Sequence, residues 1–133
     1  MRARTLHPGT ASGELIRLTA PLSFWGGTDA TGRIVDAHHP QCGAVLAGRI
    51  LLMPSGRGSS SSSSVLAEQI RTHTAPAAIV LATPDPIIPL GALIAAELYN
   101  LCLPVVVAPY DDLPPHGRLQ VHATSDDATI TLI

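Results

Sequence analysis

The sequence predicts an α/β fold, a partly parallel sheet with flanking helices and an additional β layer, and three observations support it. Compact apolar runs at residues 48–53, 77–82 and 103–108 have the length and continuity of strands buried on both faces. Two stretches with helical periodicity lie between these runs. Shorter segments on either side alternate apolar and polar residues, as half-exposed strands do. A chain of 133 residues supports one domain, 1–133, with a genuine core, and is too short to predict two.

The first half reads as short strands and turns, in keeping with 12 prolines and 11 glycines. Residues 11–18 hold a modest alternation, with Gly9 and Gly13 as breakers. Residues 20–29 set Phe24 and Trp25 against the Gly26-Gly27 pair. A strand is expected over 32–35 and a turn at His38-His39-Pro40. Residues 48–53 are the clearest buried strand, closed by Pro54. A helix is expected over 65–71, with Val65, Leu66 and Ile70 on one face and Arg71 near its negative end. Pro86-Ile87-Ile88-Pro89 leads into a second helix. Its Leu90, Leu93, Ile94 and Leu98 form an apolar stripe, while Gly91, Ala92, Ala95 and Ala96 permit close packing, and Asn100 stops it. Residues 119–122 and 129–132 alternate as closing strands.

Composition narrows function. Hydrophobic residues make up 46% and charged ones 14%, against roughly 25% charged in ordinary soluble domains. That balance excludes disorder and suits a chain that covers part of its surface with a partner. A formal charge of −2, 3% aromatic residues and no basic patch argue against nucleic acid. No run reaches signal or membrane-spanning length, so the expected address is the cytoplasm. Cys42 and Cys102 form no ligand-spaced pair; two reduced thiols and no complete metal site are expected.

The segment Ser55-Gly56-Arg57-Gly58 followed by six serines, Ser59 to Ser64, has two readings. Serine tracts are commonly flexible linkers. This one joins a buried strand to an amphipathic helix, so packing would anchor both ends. A glycine-rich turn there leaves the first helical N–H groups unpaired, beside roughly half a positive charge from the helix dipole. Gly56 and Gly58 let the backbone approach a ligand, serines cap the helix, and Arg57 adds a carboxylate-matching fork. The result suits a carboxylate or phosphate. It is not a P-loop, because no lysine follows the glycines.

The ordered series of motifs is more specific than any one of them. Pro21-Leu22-Ser23-Phe24-Trp25-Gly26-Gly27-x-Asp29 is followed by Thr31-Gly32-x-Ile34-x-Asp36, His39-Pro40 and Gly48-Arg49-Ile50-Leu51-x-Met53-Pro54. Gly56-Arg57-Gly58-Ser59-Ser60-Ser61, Val65-Leu66-Ala67-Glu68, Ala75-Pro76-Ala77-Ala78-Ile79 and Leu90-Gly91-Ala92 continue it. Across roughly residues 5 to 110 the chain resembles the aconitase X small-subunit, or swivel, domain. The resemblance implies a swivelling β/β/α fold and a hydro-lyase that eliminates water from a hydroxy acid. It implies an aconitase X large subunit as partner, carrying iron or an iron–sulfur cluster, with no cofactor in this chain. It also implies one of two substrates, cis-3-hydroxy-L-proline in bacterial members or phosphomevalonate in archaeal ones. Phe24-Trp25-Gly26-Gly27 and His38-His39-Pro40 resemble the bacterial branch, and low charge content is unlike a hyperthermophile.

By the same resemblance Ser59 matches the general base that removes the proton alpha to the substrate carboxylate, with Ser60 as the alternative. A serine hydroxyl needs its anion stabilised, which the helix start and Arg57 would do. Arg57, Gly58 and Ser60 would shape the carboxylate site, and Gly26 and Gly27 either join it or form a structural turn. Asp29 either caps that turn or faces the site; His39 is a structural or a titrating histidine; Trp25 and Phe24 are core or partner interface. Ser61 to Ser64 are expected as caps or solvated loop, and Glu68 with Arg71 as a surface pair. A non-catalytic module that binds an anion or regulates a partner would use the same turn. An apolar partner-facing surface could also make the isolated chain self-associate.

Overall fold

The computed structural model describes residues 1–57 and 60–133. Seven strands are defined: β1 (Arg2–His7), β2 (Gly9–Arg17), β3 (Ile50–Met53), β4 (Ala78–Leu81), β5 (Val105–Val107), β6 (Arg118–Ala123) and β7 (Ala128–Leu132). They close into a barrel in the order β1-β5-β4-β3-β2-β6-β7. β2 through β5 are mutually parallel, with Leu15 opposite Ile50, Leu51 opposite Ile79 and Val80 opposite Val106. The remaining pairs are antiparallel. The additional β layer is therefore the antiparallel arc that joins the two edges of the parallel sheet.

The apolar runs are explained by two separate cores. Ile50, Leu52, Val80 and Val106 point into the barrel, where Leu119, Val121 and Ile130 meet them. Leu51, Met53, Ile79, Leu81 and Val105 point outward and are covered by helices and loops. Both faces are dry, so β3 to β5 show no alternation. β6 has only its inner face buried and alternates strictly.

Two helices lie against the outer face of the parallel strands, α2 (Ser61–Arg71) and α3 (Ile87–Tyr99); a short irregular turn, α1 (Phe24–Gly27), precedes them. α2 begins four residues earlier than expected from the sequence, within the serine tract. α3 tolerates Pro89 in its first turn, where the N–H has no intrahelical partner. It stops at Asn100 in a left-handed conformation (φ 56°). Residues 32–35 do not form the expected strand. Isolated bridges pair Thr28 with Ile34 and Arg33 with Val45, and the segment folds back on itself as a loop around buried Ile34. β1 carried no recognisable signal, and its partners β5 and β7 make it a strand.

Candidate functional site

The carboxyl ends of β2 to β5 open toward the same end of the barrel, the place where parallel α/β sheets bind ligands. The loop after β3 carries Arg57, Gly58, Ser59 and Ser60. Gly58 and Ser59 lie outside the described residues. Arg57 and Ser60, on either side of them, are exposed. Ser60 has helical dihedrals (φ −59°, ψ −19°), and its side chain makes no cap hydrogen bond. Instead Ser63 reaches back: its N–H and Oγ both donate to the Ser60 carbonyl, at 3.1 and 2.7 Å. Ser62 and Ser63 are buried, against the expectation of caps or solvated loop.

The segment after β2 lies against Gly56 and Arg57 of this loop and against α2 beyond it. Arg57 N–H donates to Leu22 O at 3.2 Å, and Leu22 bridges Gly56. Ser62 Oγ lies 3.2 Å from Trp25 N and 3.1 Å from Ser23 Oγ. Further along α2, Gln69 Nε2 donates to Thr28 Oγ1 and to Asp29 O, at 2.8 and 3.2 Å. The fold thus brings the Gly26-Gly27 turn beside the start of α2, two regions more than thirty residues apart in sequence. Gly26 is exposed with φ +80°, a conformation that L side chains rarely adopt. Gly27 is buried, and its carbonyl accepts from Val35 N–H at 2.9 Å.

Asp85, in the loop after β4, was not singled out from the sequence. Its Oδ2 accepts from Ile88 N–H at 3.0 Å and caps α3. A Cβ at Gly56 would stand 2.7 Å from that same oxygen, so a larger residue there would push the Asp85 carboxylate off its cap. The available signal was an Asp just before a proline and three residues ahead of an apolar helical position.

The other candidates separate cleanly. Phe24 is in the core and Trp25 is 59% exposed. Asp29 caps its turn: Oδ1 accepts from Thr31 Oγ1, Thr31 N and Arg33 N. The Thr31 hydroxyl, followed by these two N–H groups, holds the Asp29 carboxyl below its usual range. His39 is buried; Nδ1 accepts from Gln41 N–H, so Nε2 carries the hydrogen given to Ala20 O. Its role is structural. Arg17, at the end of β2, donates to the carbonyls of Tyr110 and Leu113 at 3.0 and 2.6 Å, and fastens the loop after β5. Cys42 and Cys102 are both free and exposed. Among the described residues no group of three or more His, Cys, Asp or Glu could hold a metal ion, and no helix is long and apolar enough to cross a membrane.

Known proteins share this arrangement. The model of the aconitase X swivel domain matches residues 1–131. A cis-3-hydroxy-L-proline dehydratase of Pseudomonas aeruginosa is 46% identical over 90% of this chain, which spans 22% of that relative's length. A phosphomevalonate dehydratase small subunit of Methanothermobacter thermautotrophicus is 40% identical over 96% of this chain and is spanned over 95% of its own length. The crystal structure of Thermococcus kodakaraensis aconitase X in its holo-form superposes with a TM-score of 0.85 at 32% identity, covering 98% of this chain and 96% of that one.

Proposed function

The chain belongs to the aconitase X swivel-domain family, and on that premise we propose that it is the small, mobile subunit of a cytoplasmic hydro-lyase acting on cis-3-hydroxy-L-proline. Residues 1–133 form one swivel domain in this reading, in keeping with the match across residues 1–131. The observation that carries it is the meeting of three loops at one barrel end, with Arg57 and Ser60 beside the start of α2 and the Trp25-Gly26 turn against them.

On this chain the proposed chemistry is a proton transfer. Ser59 acts as the alkoxide, its charge stabilised by the Arg57 guanidinium and the positive end of α2. It takes the proton alpha to the substrate carboxylate and becomes a neutral hydroxyl, while negative charge develops on the carboxylate, which Arg57 would also stabilise. Gly58, Ser60, Gly26 and Gly27 complete the proposed cradle through their backbone. Among the described residues no donor set fits a metal centre, and in this reading iron or an iron–sulfur cluster belongs to the large subunit, where it would ease the departure of hydroxide. A large-subunit partner is supported by Trp25 beside the site and by the exposed Leu90, Leu93 and Leu98 of α3.

Identity to the Pseudomonas aeruginosa relative favours hydroxyproline. The near-complete span of the Methanothermobacter thermautotrophicus small subunit favours phosphomevalonate as the second reading. Co-expression with the large subunit and assays on both substrates separate them; failure on both removes the dehydratase reading. With an active complex, Ser59→Ala should lower kcat by about 10²–10⁴-fold while the partner stays bound. An unchanged kcat removes Ser59 from the role and turns the test to Ser60→Ala.

A further inference from the structure

We propose that Ser62 is a positioning residue for the Ser59 site: with Ser23 it closes a hydrogen-bonded clasp that holds the Trp25-Gly26 turn against the first turn of α2. The inference rests on the dehydratase reading above.

Counting hydrogens fixes the direction of the clasp. A serine has one hydroxyl hydrogen. Ser23 gives its own to Trp25 O at 2.8 Å. The 3.1 Å contact between the two hydroxyls must then be Ser62 donating to Ser23. Ser62 Oγ is left as the acceptor for Trp25 N–H at 3.2 Å. Three hydrogen bonds thus form a closed ring from Ser62 to Ser23, to the Trp25 carbonyl, and from the Trp25 amide back to Ser62. Both polar groups of one peptide residue are captured, and Trp25 can neither rotate nor drift without breaking the ring.

Ser62 is only 4% exposed, so this arrangement is not a surface accident. A buried hydroxyl is costly unless bonded, and alanine is the better helix former at such a position. Ser63 uses its hydroxyl within its own helix, on the Ser60 carbonyl. Ser62 Oγ bonds instead to Ser23 and Trp25 of the other loop. It lies in the first turn of α2, three residues beyond Ser59 in the sequence. Two further ties flank it, Arg57 N–H on Leu22 and Gln69 on Thr28 and Asp29. These hold the two segments together at either end, while the clasp fixes the Trp25 backbone against the first turn of α2.

Cutting the clasp should therefore spare the fold and misplace the site, and a misplacement of about 1 Å suffices to cost on the order of 10²-fold in rate. In the complex with the large subunit, Ser62→Ala is expected to lower kcat at least about tenfold with KM changed less than about threefold, since the loss falls on the transition state. Ser23→Ala opens the same ring and should do the same. Each change opens the ring and leaves one of its three bonds, Ser23 to the Trp25 carbonyl or the Trp25 amide to Ser62, so the double variant should cost clearly less than the sum of the two singles. Hydrogen exchange of the Trp25 amide should speed up in Ser62→Ala. If Ser62→Ala does not fold, Ser23→Ala carries the test, as Ser23 is half-buried and outside the helix. Wild-type kcat in both single variants, or strictly additive losses, overturns the positioning role alone. An inactive wild-type complex overturns the dehydratase reading, and the positioning role with it.

Discussion

α2 and α3 lie side by side on one flank of the barrel, each following a parallel strand, yet they sort their residues in opposite ways. α2 buries Ser62, Ser63 and Gln69 together with Leu66, Ala67 and Ile70. α3 buries Ile88 in its first turn and then Gly91, Ala92 and Ala95, and leaves Leu90, Leu93 and Leu98 at 44%, 47% and 67% exposure. The polar atoms of α2 are inside because the neighbouring loop binds them. The leucines of α3 are outside because only small side chains fit where the helices touch. Periodicity reveals that a helix exists; volume and hydrogen-bond partners decide which face turns inward.

The largest test of that comparison is at the contact itself. A Cβ on Gly91 would stand 2.8 Å from the Ser63 carbonyl and 3.1 Å from Leu66 Cβ, and the carbonyl is backbone that cannot step aside. Gly91→Val should cost about 1–3 kcal/mol through forced separation of the helices. Urea unfolding should show a lower midpoint at an unchanged slope. An unaffected midpoint would mean that the helices tolerate a wider gap. A smaller effect is expected on the outward face. Leu93→Ala should change stability by about 0.5 kcal/mol or less, although a larger apolar side chain is removed. A loss of about 2 kcal/mol or more there would mean that Leu93 is covered in the isolated chain.

The legible parts of this molecule are those whose cause lies close in sequence. β3, β4 and β5 were readable because Leu51 and Met53 meet helices while Ile50 and Leu52 meet the barrel, which makes every position apolar. β6 was readable because one face is wet. β1 was not, since its pairing comes from β5 and β7, at the far end of the chain. The strand expected over 32–35 failed because glycine and polar neighbours let the segment close on itself around Ile34. Around the proposed site, Arg57, Ser60 and the glycine turn are visible in the sequence as available polar groups and a tight turn. The pairing of Ser62 with Ser23 and Trp25 was not legible, because it depends on a contact between segments that follow different strands; the Asp85 cap, a bond to Ile88 three residues on, had a local signal that went unread.

The smallest effect is expected on the solvent face of α2, and it carries a pH signature. Glu68 and Arg71 are paired there at i and i+3, with the Arg71 Nε 3.0 Å from Glu68 Oε2 and both side chains about half exposed. The hydrogen bond from Arg71 holds the Glu68 carboxyl below its usual range. A depressed carboxylate contributes stability above its unfolded value and loses that contribution as pH falls through the folded one. The pair should therefore help at neutral pH and stop helping in acid, but by little, because water and salt screen exposed charges. Glu68→Gln should leave the neutral-pH unfolding midpoint within error of wild type and slightly flatten the acid limb of a midpoint-against-pH curve. The Asp29 carboxyl, depressed by the Thr31 hydroxyl and then by the Arg33 and Thr31 amides, contributes to that limb in the same direction. A large neutral-pH drop in Glu68→Gln would show that the outward face of α2 supports the fold as its buried serines do, and the contrast between its two faces would fall.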